Sequence, residues 1–209
     1  MLDAELIPAT VGDSQELLVA LHGLGDSLDG YRWLPEALGF PWLNCLLVNA
    51  PDLYFGGYSW YDFSGDADTG VRRSRALLFE LLDHWRGRGF SPGGTVLFGF
   101  SQGSLMTIDV GLRYSHRLAG LIGISGYVHQ PQELLGELGP EARSIPILMT
   151  HGTFDPLIPF EPARQQVRDL QSAGLRIEWH EFAKDHTIAG EPELAVIRRF
   201  VAAQLAPEA

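Results

Sequence analysis

The chain has little cysteine, little positive charge and no long apolar run. Cys45 is the only cysteine in 209 residues, so no disulfide can form within the chain. It lies in the run Asn44-Cys45-Leu46-Leu47-Val48, where a thiol reads as a small buried hydrophobe. Lys and Arg number 15 against 26 Asp and Glu, a formal net charge of −11. Such a chain gains nothing from counterion release on DNA or RNA, so nucleic acid is not an expected partner. The same charge argues against docking on anionic lipid. No stretch approaches the ~18 uninterrupted apolar residues of a membrane span, so no stable membrane insertion is expected. Met1-Leu2-Asp3-Ala4-Glu5 lacks the basic start and apolar core of a signal peptide, and the expected location is cytoplasmic.

Hydrophobic residues make up 45% of the chain and charged residues 20%, the balance of a globular protein. The expectation is one domain over residues 1–209, with 24 glycines and 13 prolines marking many tight turns. Six apolar runs read as strands: 15–22, 43–49, 95–100, 118–124, 145–150 and 176–182. Near-continuous apolar runs imply strands covered on both faces, hence a mostly parallel sheet. Helical patterns fill the gaps at 69–86, 102–114, 162–173 and 192–205. In the third of these, Pro162 suits a first helical position and Gly174 a stop. Strand-helix alternation predicts an α/β fold with helices on both faces of the sheet.

Gly99-Phe100-Ser101-Gln102-Gly103 matches G-x-S-x-G. It follows the run 95–98 and precedes the helical segment from Gln102, the strand-turn-helix setting of a nucleophile elbow. In that turn the serine hydroxyl stands above the sheet, and the flanking glycines let neighbouring backbones approach. Ser101 is therefore the candidate nucleophile. In α/β-hydrolases the base follows the nucleophile and the acid in chain order, which leaves His116, His129, His151, His180 and His186. His186, in a loop after the sixth run, is the candidate base. Asp155, in a loop directly after the fifth run, is the candidate acid that orients the imidazole. Asp185 is a rival acid, but it is adjacent to His186 and poorly placed to reach the correct ring nitrogen. The loop His22-Gly23-Leu24-Gly25-Asp26 follows the first run. It supplies the Leu24 amide, with that of Gln102, as the expected oxyanion hole. His22 reads as structural within that loop rather than as a second base.

Taken together, Leu21-His22-Gly23-Leu24-Gly25-Asp26-Ser27, Gly99-Phe100-Ser101-Gln102-Gly103 and His151-Gly152-Thr153-Phe154-Asp155-Pro156-Leu157-Ile158-Pro159 resemble the phospholipase/carboxylesterase family. Val48-Asn49-Ala50-Pro51 and Trp60-Tyr61-Asp62 resemble its early loop, and the likeness spans nearly the whole chain. The resemblance implies a compact α/β-hydrolase without a large lid, acting on carboxylic esters or thioesters of short to medium acyl chains, with no cofactor and no metal. Ser101, Asp155 and His186 match its triad positions. Family members often carry glycine before the histidine; here Asp185 stands there, preceded by Lys184, which adds charge near the site.

The segment 53–63 holds six aromatic residues. Phe55, Tyr58 and Trp60 are candidates for one wall of an acyl pocket, and Leu157 and Ile158 for a second. The alternative is that the rings only anchor a long loop on the core. Several functional readings remain open at this point. One is a serine carboxylesterase; another is an acyl-protein thioesterase or lysophospholipase. A third is a non-catalytic binding protein on a hydrolase scaffold. The expected partner is a small acyl ester or thioester, and an apolar rim around the site would permit a homodimer.

Overall fold

The structure, a computed structural model, describes residues 1–206. The main sheet begins with β1 (Ala4–Ile7) and β2 (Leu17–Leu21). A short helix α1 (Leu34–Leu38) leads to β3 (Asn44–Val48). A separate hairpin of β4 (Asp52–Tyr54) and β5 (Gly57–Ser59) follows, and then the long helix α2 (Ala67–Gly87). The remaining elements alternate: β6 (Thr95–Phe100), α3 (Gln102–Arg113), β7 (Gly120–Ile124), α4 (Pro131–Gly136), β8 (Pro146–Gly152), α5 (Phe160–Ser172), β9 (Arg176–Phe182) and α6 (Glu191–Leu205).

The strands lie in the order β1-β3-β2-β6-β7-β8-β9. Only β1 runs antiparallel, and the other six are parallel. This is the α/β plan the alternation predicts, in the α/β-hydrolase form the family resemblance implies. The six apolar runs became β2, β3, β6, β7, β8 and β9. The reason is visible in β2, where all five residues are buried. Its Leu17, Val19 and Leu21 face one apolar layer while Leu18 and Ala20 face the other. The first layer is completed by Leu78 and Leu81 of α2, Leu105 and Ile108 of α3, and Val167 and Leu170 of α5. The second is completed by Leu34 and Leu38 of α1 and Ile197 and Val201 of α6. A strand sandwiched between helix layers needs apolar side chains in both directions, which removes the usual alternation.

Four elements have no counterpart in the sequence reading: β1, α1, α4 and the β4–β5 hairpin. Each is short, and β1 is only half-buried along its length. A four-residue edge strand carries too few apolar positions to show a period. The third predicted helix starts earlier than expected. Pro159 caps it and α5 begins at Phe160, so Pro162 falls inside the first turn, where its missing N–H has no intrahelical acceptor to lose. Among the described residues no large lid covers the C-terminal ends of the parallel strands. No helix among the described residues is long and apolar enough to cross a membrane.

Candidate active site

Because six strands are parallel, the loops after β2, β6, β8 and β9 all open at one edge of the sheet, where ligand sites of open α/β sheets form. The turn between β6 and α3 is tight. Ser101 sits there at φ 55° and ψ −116°, left-handed territory that a side chain enters only at a conformational cost. The glycines around it are required by space. A Cβ on Gly103 would lie 2.0 Å from the Leu21 carbonyl oxygen, and one on Gly99 would lie 2.1 Å from that of Gly103. The helix thus starts directly against β2, with Ser101 at its tip.

His186 reaches this serine from the loop after β9. Its Nε2 lies 2.9 Å from Ser101 Oγ and its Nδ1 lies 2.7 Å from Asp155 Oδ2. The other oxygen of Asp155 accepts the amides of Leu157 and Ile158, each at 2.9 Å. Burial alone would raise the Asp155 pKa. The Ile158 amide, His186 and the Leu157 amide together outweigh it and hold the carboxyl below the usual range. Asp155 therefore stays anionic beside the imidazole. Asp185 is exposed and takes no part in this line.

The charge expected from Lys184 is spoken for. Its ammonium is buried, 2.6 and 2.9 Å from the two carboxylate oxygens of Glu193 in α6. Glu193 is itself fully buried and also accepts Thr150 Oγ1 and the Ala189 amide, each at 2.5 Å. Burial lowers the Lys184 pKa, and Glu193 opposes that shift. The Lys184 carbonyl accepts the Phe154 amide at 3.1 Å, so this pair braces both the His186 loop and the Asp155 loop. The sequence reading assigned Glu193 only to an amphipathic helix. A signal was present: Glu193 is in phase with Ile197, Phe200 and Val201 on the buried face of α6.

The loop after β2 passes beside the serine. A Cβ on Gly23 would lie 3.4 Å from Ser101 Cβ. Gln102 is the first residue of α3, so its amide lacks a helical acceptor. The Leu24 amide donates to no protein acceptor among the described residues. His22 is buried and pinned, with Nδ1 2.6 Å from the Gly23 carbonyl and Nε2 accepting the Ala50 amide at 3.0 Å. The Gln102 side chain has a structural task that the sequence did not reveal. It accepts the Trp60 amide at 3.0 Å and donates to the Tyr61 carbonyl at 3.0 Å.

That tie corrects the reading of the aromatic segment. Trp60 is fully buried, donates Nε1–H to the His22 carbonyl at 2.9 Å, and offers no surface to a substrate. Phe55 is at the opposite extreme, 94% exposed at the tip of the β4–β5 hairpin, with its ring edge-on to that of Tyr54. Tyr58 is half-buried beside the His22 ring. Leu157 and Ile158 do line an apolar cavity of about 250 Å³, whose other walls include Phe63, Tyr127 and Ala163. A second cavity, of about 280 Å³, lies on the His186 side and is lined by Asp26, Trp33 and Phe100 among others. A larger hollow, about 630 Å³ between β9, α5 and α6, contains none of the residues around Ser101.

Two buried histidines give the protein a pH-dependent stability. Burial lowers the pKa of His22, with the Gly23 carbonyl opposing, and burial likewise lowers that of His151. His151 keeps Nε2 3.0 Å from the Ile158 carbonyl, which requires a proton there and leaves a buried, unpartnered lone pair on Nδ1. Both rings are therefore neutral in the folded state, while the unfolded chain protonates them near pH 6.5. Their contribution is complete above that value and is lost as pH falls below it, because the unfolded state takes up the protons. Stability should therefore be lower at pH 5.5 than at pH 7.5. Urea unfolding at the two pH values checks this, and an equal or higher midpoint at pH 5.5 would refute it.

Comparison with known proteins adds an independent line. A sequence model of the phospholipase/carboxylesterase family matches residues 3–205. An acyl-protein thioesterase 1 of Schizosaccharomyces pombe is 32% identical over 155 residues, covering 68% of this chain and 69% of the relative. A probable carboxylesterase of Oryza sativa subsp. japonica is 28% identical, covering 91% of this chain and 80% of its own. Among solved structures, esterase PE8 superposes with a TM-score of 0.85 at 29% identity, covering 98% of this chain and 99% of that one.

Proposed function

The chain belongs to the phospholipase/carboxylesterase family, hydrolases of carboxylic ester or thioester bonds, and on that premise we propose that it is a serine carboxylesterase working through an acyl-enzyme on Ser101. The observation that carries this reading is the hydrogen-bonded line from Ser101 Oγ to His186 Nε2 and from His186 Nδ1 to Asp155, set at a strained turn. In the first step Oγ attacks the acyl carbon while its proton passes to Nε2. Asp155 holds Nδ1–H and stabilises the imidazolium that forms. The tetrahedral oxyanion is held by the amides of Leu24 and Gln102. The imidazolium then returns the proton to the leaving oxygen or sulfur. Water, deprotonated by the same nitrogen, releases the acid and restores the serine.

The apolar cavity beside Leu157 and Ile158 is the site for the acyl chain, and its size suits short to medium chains. The test is reaction with a fluorophosphonate, located by peptide mass, together with a p-nitrophenyl ester series of increasing chain length. The expected result is stoichiometric labelling at Ser101 and an optimum between butyrate and octanoate. Folded protein that takes no label, or labels elsewhere, would overturn the assignment. A second reading, cleavage of acyl-protein thioesters, is favoured by the name of the Schizosaccharomyces pombe relative. Thioester and oxyester substrates with the same acyl group separate the two.

A further inference from the structure

The reaction itself distinguishes the two smaller cavities. The leaving oxygen or sulfur must collect its proton from His186 Nε2, so the leaving group lies on the histidine side of the acyl carbon. The apolar cavity of Leu157 and Ile158 does not include His186 in its wall. The cavity of about 280 Å³ does, together with Phe100, the residue immediately before the serine. Its chemistry is distinctive. Its wall combines the carboxylate of Asp26 with the rings of Trp33, Tyr31 and Phe100, and no Lys or Arg lines it.

The Asp26 carboxylate is not consumed by the protein. One oxygen accepts the Ser27 amide at 2.7 Å, and no ion pair engages it among the described residues. The Arg32 guanidinium is held by Glu5 and Asp29. Gly30 makes the room, because a Cβ there would lie 2.2 Å from Asp26 Oδ1. Burial, and next to it the Asp26 charge, raise the pKa of the Tyr31 hydroxyl, which places that charge at the aromatic wall. Trp33 is 39% exposed, and its ring lies 6.4 Å from that of Tyr31. Asp26 is exposed, and a carboxylate in the same wall as the open Trp33 ring is a receptor for an ammonium, through charge and through the ring's negative face. The net charge of −11 draws cations toward the molecule as a whole.

We propose that this pocket selects acyl substrates whose leaving alcohol or thiol carries a cationic group, with Asp26 and Trp33 as its specificity residues. The proposal rests on the Ser101–His186 reading above. The test compares the hexanoyl ester of choline with its uncharged isostere, in which tert-butyl replaces trimethylammonium. Wild-type kcat/KM should favour the cationic ester by roughly tenfold. That ratio should fall toward one in Asp26→Asn, in Trp33→Ala and at high salt. A wild-type ratio near one, or a ratio unchanged in Asp26→Asn, overturns the proposal. A second measurement needs no turnover: tetramethylammonium should slow fluorophosphonate labelling of Ser101 in the wild type, and an unchanged labelling rate also overturns it. Loss of labelling and of both ester activities would instead strike the esterase reading itself.

Discussion

Replacing Ser101 by alanine should lower turnover of a p-nitrophenyl ester by about a million-fold while leaving the fold in place. The two halves of that expectation have separate grounds. Catalysis would lose the nucleophile outright, and what remains would come from binding and the two oxyanion amides. The fold would lose little, because the hydroxyl's hydrogen bond in the structure is to His186 Nε2. Alanine also occupies the same left-handed backbone at no greater cost, so the stability change should stay within about 1 kcal/mol. His186→Ala should cost nearly as much turnover as Ser101→Ala, and the double variant scarcely more, since the residues act as a unit. Steady-state kinetics beside a thermal unfolding curve decides the matter. A Ser101→Ala protein retaining even one hundredth of wild-type turnover would mean that another group carries the reaction.

The second large effect is expected far from the substrate. Glu193→Ala should destabilise the protein by about 3–5 kcal/mol, because it strands the Lys184 ammonium in the interior. The Lys184 side chain is 3% exposed and Glu193 is wholly enclosed, so neither can turn to water without opening the structure. Thr150 and the Ala189 amide lose their acceptor in the same variant. Against a typical total of roughly 5–15 kcal/mol, this is a large fraction, and the unfolding midpoint should fall by roughly 10 °C. Activity should suffer before global unfolding, since the His186 and Asp155 loops both hang on Lys184. The double variant Lys184→Met with Glu193→Leu separates charge from shape. With both charges gone it should recover most of the lost stability. A midpoint shift of less than about 2 °C in Glu193→Ala would show that the pair is not enclosed as described.

The strands, the longer helices and the elbow were legible in the sequence because each is a local pattern. Thr95–Phe100 is an apolar run, Gly99 and Gly103 bracket Ser101, and a helix follows at once. The pairing of Ser101 with His186, 85 residues away, was reachable only through chain order and the positions of strand ends. Where pattern misled, burial was the reason. Phe55 and Trp60 are both aromatic in one short segment, yet one stands in solvent and the other is enclosed. Aromatic content cannot tell these apart, since a ring suits a pocket wall and a core equally well.

The sequence by itself determined the layered α/β plan, because apolar residues on both faces of a strand can be satisfied only between two helix layers. It also determined which chemical groups stand at the strand ends, because turns and nucleophile elbows need particular residues at particular spacings. Tertiary structure alone decided which distant side chains meet. It put Glu193 against Lys184, set the Gln102 side chain against Trp60, and gathered Leu157 and Ile158 into an apolar cavity and Asp26 and His186 into another. Those outcomes depend on how elements far apart in the chain cross and shut out water. The strength of a charge or hydrogen bond follows from that exclusion, which no local pattern encodes.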